Sequence, residues 1–325
     1  MHEVFINKVE YFLPNKIELN SKILKKAGKN ISDIKKWTEK IGIKSRRIVN
    51  KNIFSNDLAL ASARKILKNI DKDKIDYLLF CTNTPDFILP TNACIIQDKL
   101  GLKKNIGALD IILACSGYIY TLGIAKSLII SGQAKNILLI TSDVYSKFIK
   151  ENDYKNRILF GDGSTSTLIS KEKDINSFQI GNFIYGTDGS GHKNAIIDNF
   201  GSRHWLSKKK GGETLDLNGP EIYKFALQRV PEAIYEFLNK NNLKINEIDY
   251  FVFHQANEFI NKSIQRLLKI PDKKIFNQMQ FTGNTSSSSI PIVLSNNFSR
   301  LSKGKNILLA GFGGGLSWGV CLIKK

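Results

Sequence analysis

The sequence predicts an α/β protein made of two copies of one unit, and three observations predict it. Two pairs of segments recur in the same order: "IDYLLFC" (75–81) with "IDYFVFH" (248–254), and "KNILL" (135–139) with "KNILL" (305–309). The spacing between copies is nearly constant, 173 positions from Asp76 to Asp249 and 170 from Lys135 to Lys305. Short β-rich runs also alternate with long helical patterns, which argues for a mixed or parallel sheet covered by helices. One match could be chance; two at nearly one offset make chance a poor explanation. The halves meet near residues 170–180, which divides the chain into 1–172 and 173–325. A length of 325 residues suits two fused units, and a hydrophobic content of 42% is enough for a real core.

Each half runs through the same series: a helical stretch, an "IDY" strand, a helix, a second strand, a helix or turn, and a "KNILL" strand. In the first half the second strand is "IGALDII" (106–112). The segment after it, Ile111 to Ile130, is largely apolar and about long enough to span a bilayer. It carries Cys115, Ser116, Gly117, Thr121, Gly123, Lys126 and Ser127, however, and Asp110 lies just before it. A lysine at such depth costs roughly 3 kcal/mol. From Ser116 onward, apolar residues fall on every face, as in a buried helix. The chain is therefore expected to have no membrane span. The opening "MHEVFINKVEYFLP" lacks the pattern of a signal peptide. In the second half, "TGNTSSSSIP" (282–291) stands where Cys115 stands in the first, and "GFGGGLSWG" (311–319) follows the last "KNILL" strand.

The four cysteines, Cys81, Cys94, Cys115 and Cys321, are far apart with no CxxC pair. Neither a metal site nor a disulfide framework is suggested, and a reducing cytoplasm fits best. Taken alone, each cysteine reads as a small buried hydrophobe. Topology says more of Cys115. In α/β architectures the loops at the carboxyl ends of strands gather around the ligand crevice. His254 ends the "IDYFVFH" strand and Cys115 follows the "IGALDII" strand. Together with the serine-rich and glycine-rich loops, they are expected to converge between the halves.

"DIILACSG" (110–117), "FHQAN" (253–257), "GNTSSSSIP" (283–291) and "FGGGLSWG" (312–319), in this order and spacing, resemble the β-ketoacyl-acyl-carrier-protein synthase III family. "KIGIKSRRI" (40–48) and "LFGDGSTS" (159–166) are similar to the same family, and the resemblance runs from about residue 3 to residue 323. It implies a thiolase-like five-layer αβαβα fold, usually a homodimer. It implies a Cys–His–Asn site falling on Cys115, His254 and Asn284. It also implies substrate contacts from Lys40, Leu89, Asn218, Gly219, Tyr223, Ala256, Asn257 and Phe312, and carrier-protein docking near Lys224.

The chemistry is consistent with the residue types. A cysteine at a helix N-terminus gains from the positive end of the helix dipole, which favours the thiolate. Cys115 would attack an acyl thioester and hold the acyl group covalently. Backbone N–H groups of Cys115 and, by resemblance, Gly314 would stabilise the oxyanion. Decarboxylation of a malonyl thioester then needs donors for an enolate oxygen, and an imidazole and an Asn amide supply them without formal negative charge. No cofactor is called for beyond acyl-CoA or acyl-carrier donors and the malonyl-carrier substrate. A degradative thiolase would carry a second cysteine in the glycine-rich loop, and "GFGGGLSWG" has none. His192 and His204 lie in a middle segment read as a loop over the acyl or pantetheine tunnel.

The chain also departs from the family. Initiating members carry a Trp and an Arg before the "TGI" motif that hold the CoA adenine and phosphates. Here Lys36 and Lys40 align with them, with Trp37 one residue out of register. A second family arginine aligns with Tyr154, and Arg157 is three residues too close. The donor is thus open between acyl-CoA and an acyl carrier. A formal charge of +19, with runs such as Lys208–Lys210 and Lys273-Lys274, suits an acidic carrier protein. The lysines are scattered, with no aromatic-basic motif, which argues against nucleic acid. Phe259 replaces a basic docking residue of the family. Two rival functions remain: an acyltransferase or priming enzyme of a specialised glycan or secondary-metabolite pathway, and a non-catalytic partner subunit.

Overall fold

The computed structural model describes residues 3–68, 70–198, 202, 214–298, 301 and 303–325. His204 and Lys208–Lys210 lie outside these residues. The first half comprises β1 (Phe5–Phe12), β2 (Lys16–Leu19), α1 (Asn20–Lys26), α2 (Ile31–Ile41), β3 (Ser45–Ile48), α3 (Ser55–Leu67) and β4 (Tyr77–Cys81). It continues with α4 (Asn92–Leu100), β5 (Gly107–Ile111), α5 (Gly117–Ile130), β6 (Asn136–Asp143), α6 (Tyr154–Arg157) and β7 (Gly163–Ser170). The second half opens with β8 (Phe178–Thr187), β9 (Ala195–Ile197), β10 (Leu215–Leu217), α7 (Gly219–Lys240) and β11 (Tyr250–Phe253). It closes with α8 (Glu258–Leu267), α9 (Met279–Thr282), α10 (Ser289–Asn297), β12 (Asn306–Gly313) and β13 (Ser317–Lys324).

The repeat in sequence is a repeat in topology. In the first half β4 pairs in parallel with β5 and β6, then β6 with β7 and β7 with β1 antiparallel. In the second, β11 pairs in parallel with β12, then β12 with β13 and β13 with β8 antiparallel. The place of β5 is taken by Ile275, which bridges Phe251 in parallel. The two sheets join edge to edge through Phe5↔Gln179 and Ile6↔Phe178, and the Ile180 N–H donates to the Val4 carbonyl beside them at 2.8 Å.

Alternation along each strand then builds five layers. Leu79, Ile137 and Leu139 of one sheet and Val252, Ile307 and Leu309 of the other face a shared middle layer. That layer holds Tyr118, Ile119 and Leu122 of α5 with Ile290 and Val293 of α10. The intervening Leu78, Phe80, Leu138 and Ile140 face α3 and α4. Phe251, Phe253, Leu308 and Ala310 face α7 and α8. The order is αβαβα. The all-round apolarity of α5 follows, since this 14-residue helix meets a sheet on both sides. No helix among the described residues is long and apolar enough to cross a membrane.

Candidate active site

Both middle-layer helices start at the same end of the molecule, and the site lies there. Cys115 stands two residues before α5, and Ser287 stands two residues before α10. The turn into α5 is tight: the Gly117 N–H donates to the Ala114 carbonyl at 2.8 Å. The Ser116 hydroxyl meets that of Ser317 at 2.7 Å, and Ser317 Oγ donates to the Gly314 carbonyl at 3.1 Å. The glycine-rich loop is thereby fastened to the cysteine turn. Gly313 lies so close that a Cβ there would sit 2.7 Å from Cys115 Cβ and 3.0 Å from its sulfur.

Asn284 is held from both sides. Its N–H donates to the Leu159 carbonyl at 2.9 Å, and its carbonyl accepts from Gly161 N–H at 3.0 Å. The preceding Gly283 has φ +68°, and a side chain there would meet Arg46 Cγ at 2.6 Å and the Leu159 carbonyl at 2.7 Å. Only glycine suits both demands. The Asn284 Oδ1 accepts the Ser286 N–H at 2.8 Å. With its oxygen so engaged, the amide turns its Nδ2 donors the other way. The same hydrogen bond holds Ser286 in a left-handed conformation, φ +52°. A non-glycine residue there stores strain and is most often found at working sites.

His254 follows β11. Its backbone N–H donates to the Ala310 carbonyl at 2.8 Å, and its carbonyl accepts from Asn261 Nδ2 at 3.0 Å. The imidazole Nδ1 lies 2.7 Å from Ser289 Oγ, and the edge of the ring meets Phe312 at a centroid distance of 5.5 Å. Burial pushes its acidity constant down to about 3, so the ring is neutral at physiological pH.

A cavity of about 550 Å³ brings Cys115, His254, Asn284, Ala256, Asn257, Phe312 and Gly314 together. Its far wall is apolar, with Ile196 and Ile197 of β9 and Leu215 and Leu217 of β10. Of the remaining sequence candidates, none lines it. Lys40 is exposed, with its Nζ 4.7 Å from the centre of the Phe259 ring, which in turn stacks on Tyr223 at 4.9 Å. Asn218 caps α7, Gly219 begins it, and Lys224 lies exposed on it. From the same region, Ile222 of α7 and Ile260 of α8 do reach the cavity. Leu89 is 86% exposed on the loop whose Phe87 and Ile88 line the cavity rim. His192 is exposed and engages only the Gly189 carbonyl among the described residues.

A second influence bears on Cys115 besides its helix start. Desolvation pushes the thiol up to about 12, the Ser286 hydroxyl acts the other way, and Asp143 adds to the upward push. Desolvation of this partly buried sulfur thus acts against the helix end. Its hydrogen is directed to Ser286 Oγ at 3.9 Å. Asp143, at the end of β6, was not marked by any sequence motif. It is fully buried, and it accepts from Asn83 N–H at 2.8 Å and Ser287 Oγ at 3.0 Å. Burial raises it to about 6 despite these donors.

Comparison with known proteins places the fold and the sequence. Residues 109–189 match the model of 3-oxoacyl-[acyl-carrier-protein] synthase III, and residues 238–325 match the model of its C-terminal part. The chain is 39% identical to a β-ketoacyl-[acyl-carrier-protein] synthase III of Clostridium perfringens over 285 residues, 86% of this chain and 87% of that one. It is 35% identical to the Campylobacter jejuni enzyme of the same name over 330 aligned positions, 100% of this chain and 98% of that one. Among solved structures, a 3-oxoacyl-(acyl-carrier-protein) synthase III superposes with a TM-score of 0.93 at 35% identity, covering 99% of this chain and 100% of that one. The priming β-ketosynthase of the R1128 polyketide pathway superposes at 0.88 with 25% identity, covering 99% of this chain and 96% of that one. Cys115, His254 and Asn284 meet in one cavity between duplicated halves, on a fold and sequence shared from end to end with these enzymes; the chain belongs to the β-ketoacyl-[acyl-carrier-protein] synthase III family of thiolase-fold condensing enzymes.

Proposed function

We propose that this acyltransferase takes an acyl group from a thioester onto Cys115 and condenses it with malonyl-carrier protein to give a 3-oxoacyl-carrier protein. The observation that carries the reading is the shared cavity of Cys115, His254 and Asn284. In the first step the Cys115 sulfur attacks the thioester carbonyl, the carbon–sulfur bond to the donor breaks, and the thiol proton leaves with the donor sulfur. The N–H groups of Cys115 and Gly314 receive the developing oxyanion. In the second step the malonyl thioester loses carbon dioxide. Its enolate oxygen is met by donors from His254 and Asn284, and its carbon attacks the acyl carbonyl, releasing Cys115. The substrates arrive as thioesters, and this chemistry needs no metal or further cofactor. The division of labour follows the duplication: residues 1–172 bring the nucleophile, and residues 173–325 bring the two donors.

An acyl carrier is the favoured donor in this reading. The Trp37 ring packs edge-on against Tyr154 at 6.3 Å, and Lys29 covers Tyr154 at 5.4 Å. Arg157 is engaged with Glu18. The groups nearest the family's adenine clamp are thus turned toward one another. A basic enzyme also steers an acidic carrier, with an on-rate that falls as salt screens charges beyond roughly 8 Å. The exposed Phe87, Ile88 and Ile112 form an apolar rim at the cavity and, with the neighbouring exposed Leu89, serve in this reading as the face of a homodimer. Light scattering tests that assembly.

The decisive experiment incubates the enzyme with malonyl-carrier protein and matched acyl-CoA and acyl-carrier donors across salt concentrations, read by mass spectrometry. Expected are a 3-oxoacyl product and faster loading from the carrier at low salt. A salt-indifferent preference for acetyl-CoA marks an ordinary initiating enzyme, and absence of any product marks a non-catalytic subunit. A second reading, priming of a specialised pathway, draws on the altered CoA clamp and the likeness to a priming ketosynthase. The acyl group accepted in the same assay decides it.

A further inference from the structure

A histidine can donate to an enolate oxygen only if the nitrogen facing that oxygen carries the proton. His254 is neutral, so its ring has one N–H to place, on Nδ1 or on Nε2. The neighbours of Nδ1 settle which.

Ser289, the first residue of α10, is 2% exposed. Its Oγ accepts the Gln255 N–H at 3.3 Å and lies 2.7 Å from His254 Nδ1. Among the described residues these are its two hydrogen-bond partners. A backbone N–H can only donate, so the hydroxyl must spend one lone pair on Gln255. If Nδ1 also carried a proton, Ser289 would receive two donors, and its own hydrogen would be buried without an acceptor. Buried hydroxyls rarely tolerate this. If Nδ1 is bare, every group is satisfied: Gln255 donates to Ser289, and Ser289 donates to Nδ1.

We infer that Ser289 is a positioning residue of the condensation step, which fixes His254 as the Nε2–H tautomer and so presents one N–H donor to the thioester oxygen. The consequence is an asymmetry between the half-reactions. With Nε2 protonated and Nδ1 occupied, His254 has no free lone pair to take the Cys115 proton. It serves the enolate and not the loading step. This inference rests on the reaction proposed above for its kinetic part, while its structural part stands independently.

The test uses the full chain labelled with 15N-histidine, the His254 signals being assigned by their loss in His254→Gln. Long-range proton–nitrogen spectra are expected to show the Nε2–H tautomer in the parent. In Ser289→Ala, Nδ1 loses its donor, and the spectrum is expected to shift toward the Nδ1–H form or a mixture. Loading of Cys115 should stay within about twofold. Condensation should fall about 10²-fold, the scale of losing one aligned donor. Ser289→Thr, which keeps the hydroxyl, should restore both the spectrum and the rate. A parent spectrum with the proton on Nδ1 overturns the inference, as does a Ser289→Ala enzyme that condenses at the parental rate. A parent that shows the Nε2–H tautomer yet forms no 3-oxoacyl product leaves the tautomer assignment intact and refutes the proposed reaction instead.

Discussion

Adding one methyl group to Gly313 should disable loading, while the same methyl on Gly314 should not. Neither glycine has the left-handed backbone that would itself strain an alanine, so the contrast is steric. At Gly313 the new carbon would stand 2.7 Å from Cys115 Cβ and 3.0 Å from Sγ. Carbon atoms prefer about 3.5–4.0 Å, so something must move by about 1 Å. Gly313 ends β12, paired with Ser317 of β13, and the cysteine turn is pinned to that loop through Ser116. The movement therefore falls on the Cys115 side chain, and a misplacement of about 1 Å at a reacting atom costs about 10²-fold in rate. At Gly314 the nearest atom to the new carbon is Ala195 Cβ at 3.6 Å, an ordinary contact, and the backbone N–H survives. Initial rates of acyl-Cys115 formation, followed by intact mass, should fall about 10²-fold in Gly313→Ala and by less than about tenfold in Gly314→Ala. If Gly313→Ala loads at the parental rate, or if Gly314→Ala is the more damaged, the packing argument for the cysteine turn is wrong.

Cys115→Ser should form no acyl-enzyme; intact-mass acylation of the variant, or acylation of Cys81 or Cys94 in the parent, would refute the assignment. His254→Ala and Asn284→Ala should slow malonyl decarboxylation by about 10²–10³-fold while slowing loading less, and equal losses in both steps would point to a role in placing the sulfur. Asp143 is buried with its carboxyl raised from 3.8 to about 6, so the fold favours the protonated form. Stability from that preference is complete below about pH 3.8 and is lost as pH rises through 6, by about 3 kcal/mol in all. Asp143→Asn keeps an oxygen for Asn83 and turns its amide to Ser287, whose hydroxyl can accept. Its melting temperature should gain on the parent between pH 4 and pH 7, and a difference that stays flat with pH removes the carboxylate as the cause. His254 carries the opposite sign: its value is lowered from 6.5 to about 3, so stability present above 6.5 is lost as pH falls toward 3. The His254→Ala protein should accordingly show a weaker loss of melting temperature on acidification.

The duplication was legible because strand sequences are short, local and apolar, and two of them repeat nearly unchanged. Cys115, His254 and Asn284 were legible because each sits in a motif whose order along the chain matches a known arrangement. Asp143 and Ser289 were not. A lone Asp after "KNILLITS" and one serine among four carry no local signal. Their roles come from contacts across the seam, such as the bond from Ser287 to Asp143 over 144 positions. The surroundings of Cys115 were hidden for the same reason: a helix start is visible in sequence, whereas the walls added by the other half are not. Lys40 and Tyr223, expected as substrate contacts, do not line the cavity; they meet instead on opposite sides of Phe259, a contact no sequence motif announces.

The matched positions of Cys115 and Ser287, each two residues before a middle-layer helix, bear on how such a site can arise. If the half-unit were a separate chain assembling as a symmetric pair, both sides of the seam would have to carry the same residue. A thiol would then face a thiol, and any change to one would be a change to both. Joining the two copies in one polypeptide removes that constraint. One copy is free to keep the sulfur, while the other becomes a bed of hydroxyls and amides that serve it. The asymmetry of the chemistry is thus a property that covalent linkage permits and that exact two-fold assembly forbids.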